Sequence, residues 1–80
     1  MQISVRLYGA LGRYRPAGAP PSGPFPWEAA DGATAAQVAA ELGIPPNVVR
    51  ACAVNGETVP ASRRLAPGDL LALVSAAGGG

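Results

Sequence analysis

The sequence contains no histidine, no lysine and a single cysteine, Cys52. Each absence removes a class of chemistry. Without His, no side chain has an unperturbed pKa near neutrality, so imidazole acid–base catalysis is excluded. Without Lys, no side-chain amine can form a Schiff base. One Cys forbids an internal disulfide, and with no His beside it a zinc site lacks its usual ligands. Aromatic residues are few: Tyr8, Tyr14, Phe25 and Trp27. Only 14% of residues are charged, six basic against five acidic, for a net charge of +1. The basic excess of a nucleic-acid binder is missing. No apolar run reaches the roughly 18 residues of a membrane helix. The N-terminus shows no charged stretch followed by an apolar one, so no signal peptide is visible. The expectation is a cytoplasmic protein with no nucleic-acid and no membrane partner.

What is present is mostly small. Ala contributes 17 of the 80 residues, Gly 11 and Pro 9. GC-rich coding alone would raise these three and favour Arg as the only basic residue. Hydrophobic content of 49% argues against a disordered chain. Eighty residues make one small domain. A catalyst built from this inventory is not expected. A carrier or a binding module is.

Ile3, Val5 and Leu7 alternate with Ser4, Arg6 and Tyr8, the period of a half-buried strand. Gly9 to Tyr14 has room for a short helical turn. Arg15 to Pro24 is too rich in Pro and Gly for a helix or a central strand and reads as an exposed loop. Phe25 to Ala29 is a strand candidate. Its Pro26 lacks an N–H, so the strand should lie at a sheet edge or leave that position unpaired. Asp31-Gly32 is a turn.

Thr34-Ala-Ala-Gln37 is a capping-box sequence. Ala35, Val38, Ala39 and Leu42 follow at helical spacing, Gly43 supplies a left-handed stop, and Pro45-Pro46 forbid continuation. Arg50 to Val54 is a strand, and Asn55-Gly56 is a two-residue hairpin signal returning through Glu57 to Val59. Pro60 to Leu65 is a connection with room for one helical turn. Pro67-Gly68 fits a type II turn. Leu70 to Val74 is a strand, apolar on both faces, which places it centrally and under cover.

The order is strand, strand, helix, strand pair, strand. Pairing the two most apolar strands, first and last, in mid-sheet gives an α+β β-grasp (ubiquitin-like) roll. It has a mixed sheet of four to five strands with one main helix packed on one face. The domain spans 1–74, with a Pro/Gly-rich surface loop at 15–26 and a flexible C-terminal tail at 75–80.

That tail ends in Gly78, Gly79 and Gly80. Residues without Cβ atoms can thread a narrow channel and present a terminal carboxylate inside a partner. A carboxylate is a poor electrophile and needs activation, normally as an acyl-adenylate. The chain has no phosphate-cradling Gly-Lys loop, which makes it the substrate of that step.

Ile3-Ser-Val-Arg-Leu-Tyr-Gly-Ala-Leu, Asp31-Gly-Ala-Thr-Ala, Ala53-Val-Asn-Gly-Glu, Leu65-Ala-Pro-Gly-Asp-Leu and the Gly79-Gly80 end resemble the MoaD/ThiS sulfur-carrier family. The resemblance covers nearly the whole chain outside the Pro-rich loop. The opening strand and the length resemble the small subunit of molybdopterin synthase more than the shorter thiamine carrier.

The resemblance implies that an E1-like enzyme of the MoeB/ThiF type adenylates Gly80, using ATP. A persulfide-derived sulfur then converts it to a thiocarboxylate. The large subunit of molybdopterin synthase, or another sulfur acceptor enzyme, receives that sulfur. It implies a protein co-substrate, not an enzyme by itself, with no bound cofactor and no metal. Gly78 and Gly79 thread the partner, while Tyr8 and Val74 align with docking positions on the sheet. Arg6, beside Tyr8, is a further partner-binding candidate.

Two departures stand out. Ser75-Ala76-Ala77 replace the bulky apolar and Pro residues common before the tail, and the chain ends in three glycines where two suffice.

Other readings remain open on the residues. The sulfur could serve thiamine thiazole or another metabolite. The chain could be a ubiquitin-like modifier joined through Gly80, or a passive β-grasp interaction domain. Cys52 is either a sulfur relay or, by its parity with Val54, a buried inert thiol. Arg63-Arg64 contact a partner or are simply solvated. Trp27 packs against the core or anchors a partner. Glu57 and Asp69 follow turn glycines and serve turn geometry.

Overall fold

The sheet is five-stranded, in the order β2-β1-β5-β3-β4. The strands are β1 (Gln2–Tyr8), β2 (Phe25–Glu28), β3 (Val49–Val54), β4 (Glu57–Val59) and β5 (Leu70–Ser75). This is a computed structural model that describes residues 1–75. The sites expected at Gly78, Gly79 and Gly80 lie outside the described residues. β1 and β5 run parallel at the centre, and the other pairings are antiparallel, so the sheet is mixed. The β-grasp roll read from the sequence is the fold observed.

Alternation along the strands decides which face is covered. Ile3, Val5 and Leu7 of β1, Leu71 and Leu73 of β5, and Cys52 and Val54 of β3 all point into one core. Phe25, Leu11, Val38, Ala39, Ile44 and Leu65 close it. Each fully buried large side chain there contributes about 1.5–3 kcal/mol relative to exposure.

The helix α1 (Ala35–Glu41) covers this face. Its start is fixed by the capping box: Gln37 N–H donates to Thr34 Oγ1 at 3.2 Å, and Thr34 N–H donates to Gln37 Oε1 at 2.7 Å. Its end is a Schellman cap. Gly43 takes φ +82°, its N–H reaches Ala40 O, and the N–H of buried Ile44 reaches Ala39 O. Seven residues make a weak helix alone, so its packed face holds it.

The Asn55-Gly56 hairpin forms as read, with both residues at positive φ, 53° and 86°. The edge position of β2 also holds, with Pro26 opposite Ser4. Three details differ. Pro60 to Leu65 closes a single hydrogen-bonded turn, Arg63 N–H donating to Pro60 O at 3.0 Å, but forms no helix. Beyond that turn Arg64 bridges Thr34, and Leu65 N–H donates to Ala33 O, so extended pairing satisfies the backbone there. β5 is central but covered on one face only, because the single helix layer leaves the other face of the sheet open. β5 also runs through Ser75, whose Cα partner is Val49.

The Pro-rich loop is tied down by Arg15. Its guanidinium donates to Gly23 O at 2.9 Å and Pro20 O at 3.4 Å, and lies 6.0 Å from the Phe25 ring centroid. Among the described residues, no helix is long and apolar enough to cross a membrane.

Candidate functional site

The uncovered face of the sheet is built from the alternate residues of the same strands. Cross-strand register sets its rows. Tyr8 lies opposite Val74, and Val74 opposite Ala51. One step down, Arg6 lies opposite Ala72, Ala72 opposite Ala53, and Ala53 opposite Thr58. The β3 positions on this face are alanines, so little rises beside Val74. Tyr8 at 43% exposure and Val74 at 37% are the exposed large hydrophobic residues among those described.

Arg6 completes the group. Its guanidinium carbon is 5.2 Å from the Tyr8 ring centroid, a cation–π contact worth about 0.5–1 kcal/mol at an exposed site. The three sequence-chosen docking residues are thus brought together at one end of the face, at the end of β5 where the described chain stops.

Gly9 and Ser75 fix that end, and neither was singled out from the sequence. Gly9 takes φ +61°, and a Cβ placed there would sit 2.5 Å from Ser75 Oγ. The space admits the Ser75 hydroxyl, which accepts from Ala10 N–H at 3.3 Å. The ends of β1 and β5 are therefore laced together, and the tail departs from a defined point. The sequence carries the signal only as Gly directly after the first strand. Its partner is 66 positions later and cannot be paired with it by inspection.

The remaining candidates take structural places. Cys52 is buried beneath α1, and burial pushes its thiol above the ordinary value. It lines an apolar cleft of about 380 Å³ with Ala35, Ala39 and Val59, on the helix side of the sheet. A relay needs an accessible thiolate, and this site disfavours one. Trp27 packs against the core and donates from Nε1 to Glu41 Oε1 at 3.1 Å. Asp69 serves the turns, accepting from Ala66 N–H at 2.8 Å and from Asn55 Nδ2 at 3.0 Å. Arg64 donates to Gly32 O at 3.4 Å, and Arg63 offers its carbonyl to Ala35 N–H. Among the described residues, no group of three or more His, Cys, Asp or Glu side chains is placed to hold a metal.

Comparison with solved structures returns the same fold. A crystal structure of H. volcanii small archaeal modifier protein 1 superposes with a TM-score of 0.65 at 19% identity, over 92% of this chain and 95% of that one. A crystal structure of SAMP1 from Haloferax volcanii gives 0.65 at 19% identity, over 100% of both chains. No curated protein matches the sequence. The sequence matches the ThiS family over residues 22–80, a span that takes in every element from β2 onward, including Val74 and the glycine tail. By that match, the chain belongs to the ThiS family.

Proposed function

We propose that this chain is a sulfur carrier whose Gly80 carboxylate is activated by an E1-like enzyme of the MoeB/ThiF type. The observation that supports it is the exposed Tyr8–Val74 pair, standing on the open face where β5 leads into the glycine tail of a ThiS-family chain.

In this reading the open face docks on the activating enzyme. Gly78 and Gly79 carry the terminus into a channel too narrow for side chains. The Gly80 carboxylate attacks the α-phosphate of ATP and expels pyrophosphate, giving an acyl-adenylate. A persulfide sulfur then attacks the acyl carbon and releases AMP. A thiol reduces the resulting acyl disulfide, leaving the thiocarboxylate. The chain itself supplies no catalytic group and holds no cofactor, and ATP belongs to its partner.

The acceptor that fits the opening strand and the length is the large subunit of molybdopterin synthase, in the cytoplasm. Thiamine thiazole or another sulfur metabolite is the alternative destination. A second reading is a protein modifier joined through Gly80. The fold shared with small archaeal modifier protein 1 favours it. A ladder of higher-mass conjugates in native lysate would support the modifier. A passive interaction domain would keep full function after deletion of Gly79 and Gly80.

The test is to append one bulky residue after Gly80. Pyrophosphate release by the activating enzyme is expected to stop while the circular dichroism spectrum is unchanged. Normal adenylation of the extended chain would defeat the proposal.

A further inference from the structure

We propose that the tail-bearing end of the molecule is a basic collar that docks against an acidic protein surface around the site receiving the tail. This rests on the carrier reading and names the chemistry of the partner's surface.

The collar is formed by Arg6, Arg13 and Arg50. Arg13 lines a cleft of about 260 Å³ together with Ser75, Tyr14, Asn47 and Val48. Arg50 follows Val49, whose Cα partner is Ser75, and lines the edge of the helix-side cleft, so the collar spans both faces of this end of the sheet. Arg6 reaches along β1 to the ring of Tyr8, which lies opposite Val74. All three are exposed. The ion pairs among the described residues belong to the Met1 ammonium, so none of the three guanidinium groups is neutralised there.

The acids are elsewhere. Glu28 and Asp31 gather at the Met1 ammonium, beside the start of β1. Asp69 precedes β5, six residues of strand or about 20 Å from Ser75. Glu57 follows the hairpin, opposite Val54. Glu41 accepts from the Trp27 indole. A net charge of only +1 thus hides an asymmetry: three of the six arginines stand at the tail end and none of the five acids does, while Arg15, Arg63 and Arg64 lie elsewhere, Arg64 donating to Gly32 O beside Asp31.

Such a charge distribution orients an encounter, bringing the tail end first towards a negative surface and raising the association rate. A nucleic acid is the less suited anion. A long polyanion would also meet the acidic end, and the tail has to enter a protein channel for its chemistry.

The experiment measures adenylation kinetics with the E1-like activating enzyme of the same cells, across a salt series. The variant is Arg13→Glu/Arg50→Glu. Arg63→Glu/Arg64→Glu changes net charge equally and is the control. Circular dichroism checks that both fold. The expected result is a loss of about tenfold in kcat/KM at low salt, through KM, for the collar variant only. The gap should close as salt screens the field.

Equal kinetics, or an equal loss in the control, would overturn the collar. So would wild-type binding to a labelled single-stranded RNA that the collar variant loses. Direct binding to the enzyme without ATP separates the two ideas. Salt-dependent binding without adenylation keeps the collar and sinks the carrier reading. Salt-independent binding with normal adenylation does the reverse.

Discussion

Tyr8 and Val74 face each other across the parallel β1–β5 ladder, and both side chains stand out from the sheet. Burying such a pair is favourable, roughly 25 cal/mol for each Å² removed from water. Alanines at 51, 53 and 72 keep the surrounding surface low, so a flat partner can reach both. In the proposed carrier, this position next to Ser75 at the base of the tail would link recognition of the fold to delivery of the terminus.

Val74→Arg therefore separates docking from folding. Val74 is exposed, so the change in stability should stay within about 0.5 kcal/mol. Affinity for the activating enzyme should fall about tenfold or more, which is about 1.4 kcal/mol. Isothermal calorimetry and thermal melts read the two effects separately. Unchanged affinity would remove Val74 from the interface.

Much of this was legible in the sequence, because the signals are local. Thr34 and Gln37 are three residues apart and cap each other whatever the rest of the chain does. Asn55-Gly56 sets its own positive φ values. Strict alternation in β1 divided Val5 from Arg6 and Tyr8. The signals that failed depend on distant partners. An all-apolar β5 pointed to cover on both faces, yet a single seven-residue helix covers one. Arg15 reads as an ordinary loop residue until its bonds to Pro20 and Gly23 carbonyls are seen. Arg13 and Arg50 lie 37 positions apart and fall at the same end of the sheet only because Arg13 shares a cleft with Ser75 and Arg50 follows Val49, the Cα partner of Ser75.

Cys52 gives a test of the buried-thiol assignment. Its thiol is held above the ordinary value by burial, so thiolate is scarce in the folded state. Iodoacetamide should modify the native protein at least about tenfold more slowly than the protein in urea. The alkylation-free protein should also be adenylated as well after Cys52→Ala as before. Fast native alkylation, or lost sulfur transfer in that variant, would restore the relay.

The Met1 ammonium gives a pH test. It lies 2.9 Å from Glu28 Oε2 and 3.3 Å from Asp31 Oδ1, and donates to Ala29 O. The Glu28 contact raises its pKa above the ordinary 8.0, against a smaller opposing effect of desolvation. A raised value in the folded state favours the protonated form. The stabilisation is complete below the unfolded value and is lost as pH rises through the folded one. The melting temperature should fall more for wild type than for Glu28→Gln between about pH 7 and about pH 10. Cys52, whose thiol burial pushes up, is common to both proteins and cancels in the comparison. Parallel pH profiles would show that the contact contributes nothing.

In the proposed function Gly80 carries sulfur. Its most direct test is the intact mass of the protein isolated from its native cells under reducing conditions. The expected result is a species heavier by the replacement of one oxygen with sulfur, mapped by fragmentation to Gly80. A mass that stays unmodified, even after incubation with the activating enzyme, ATP and a sulfur donor, would contradict it.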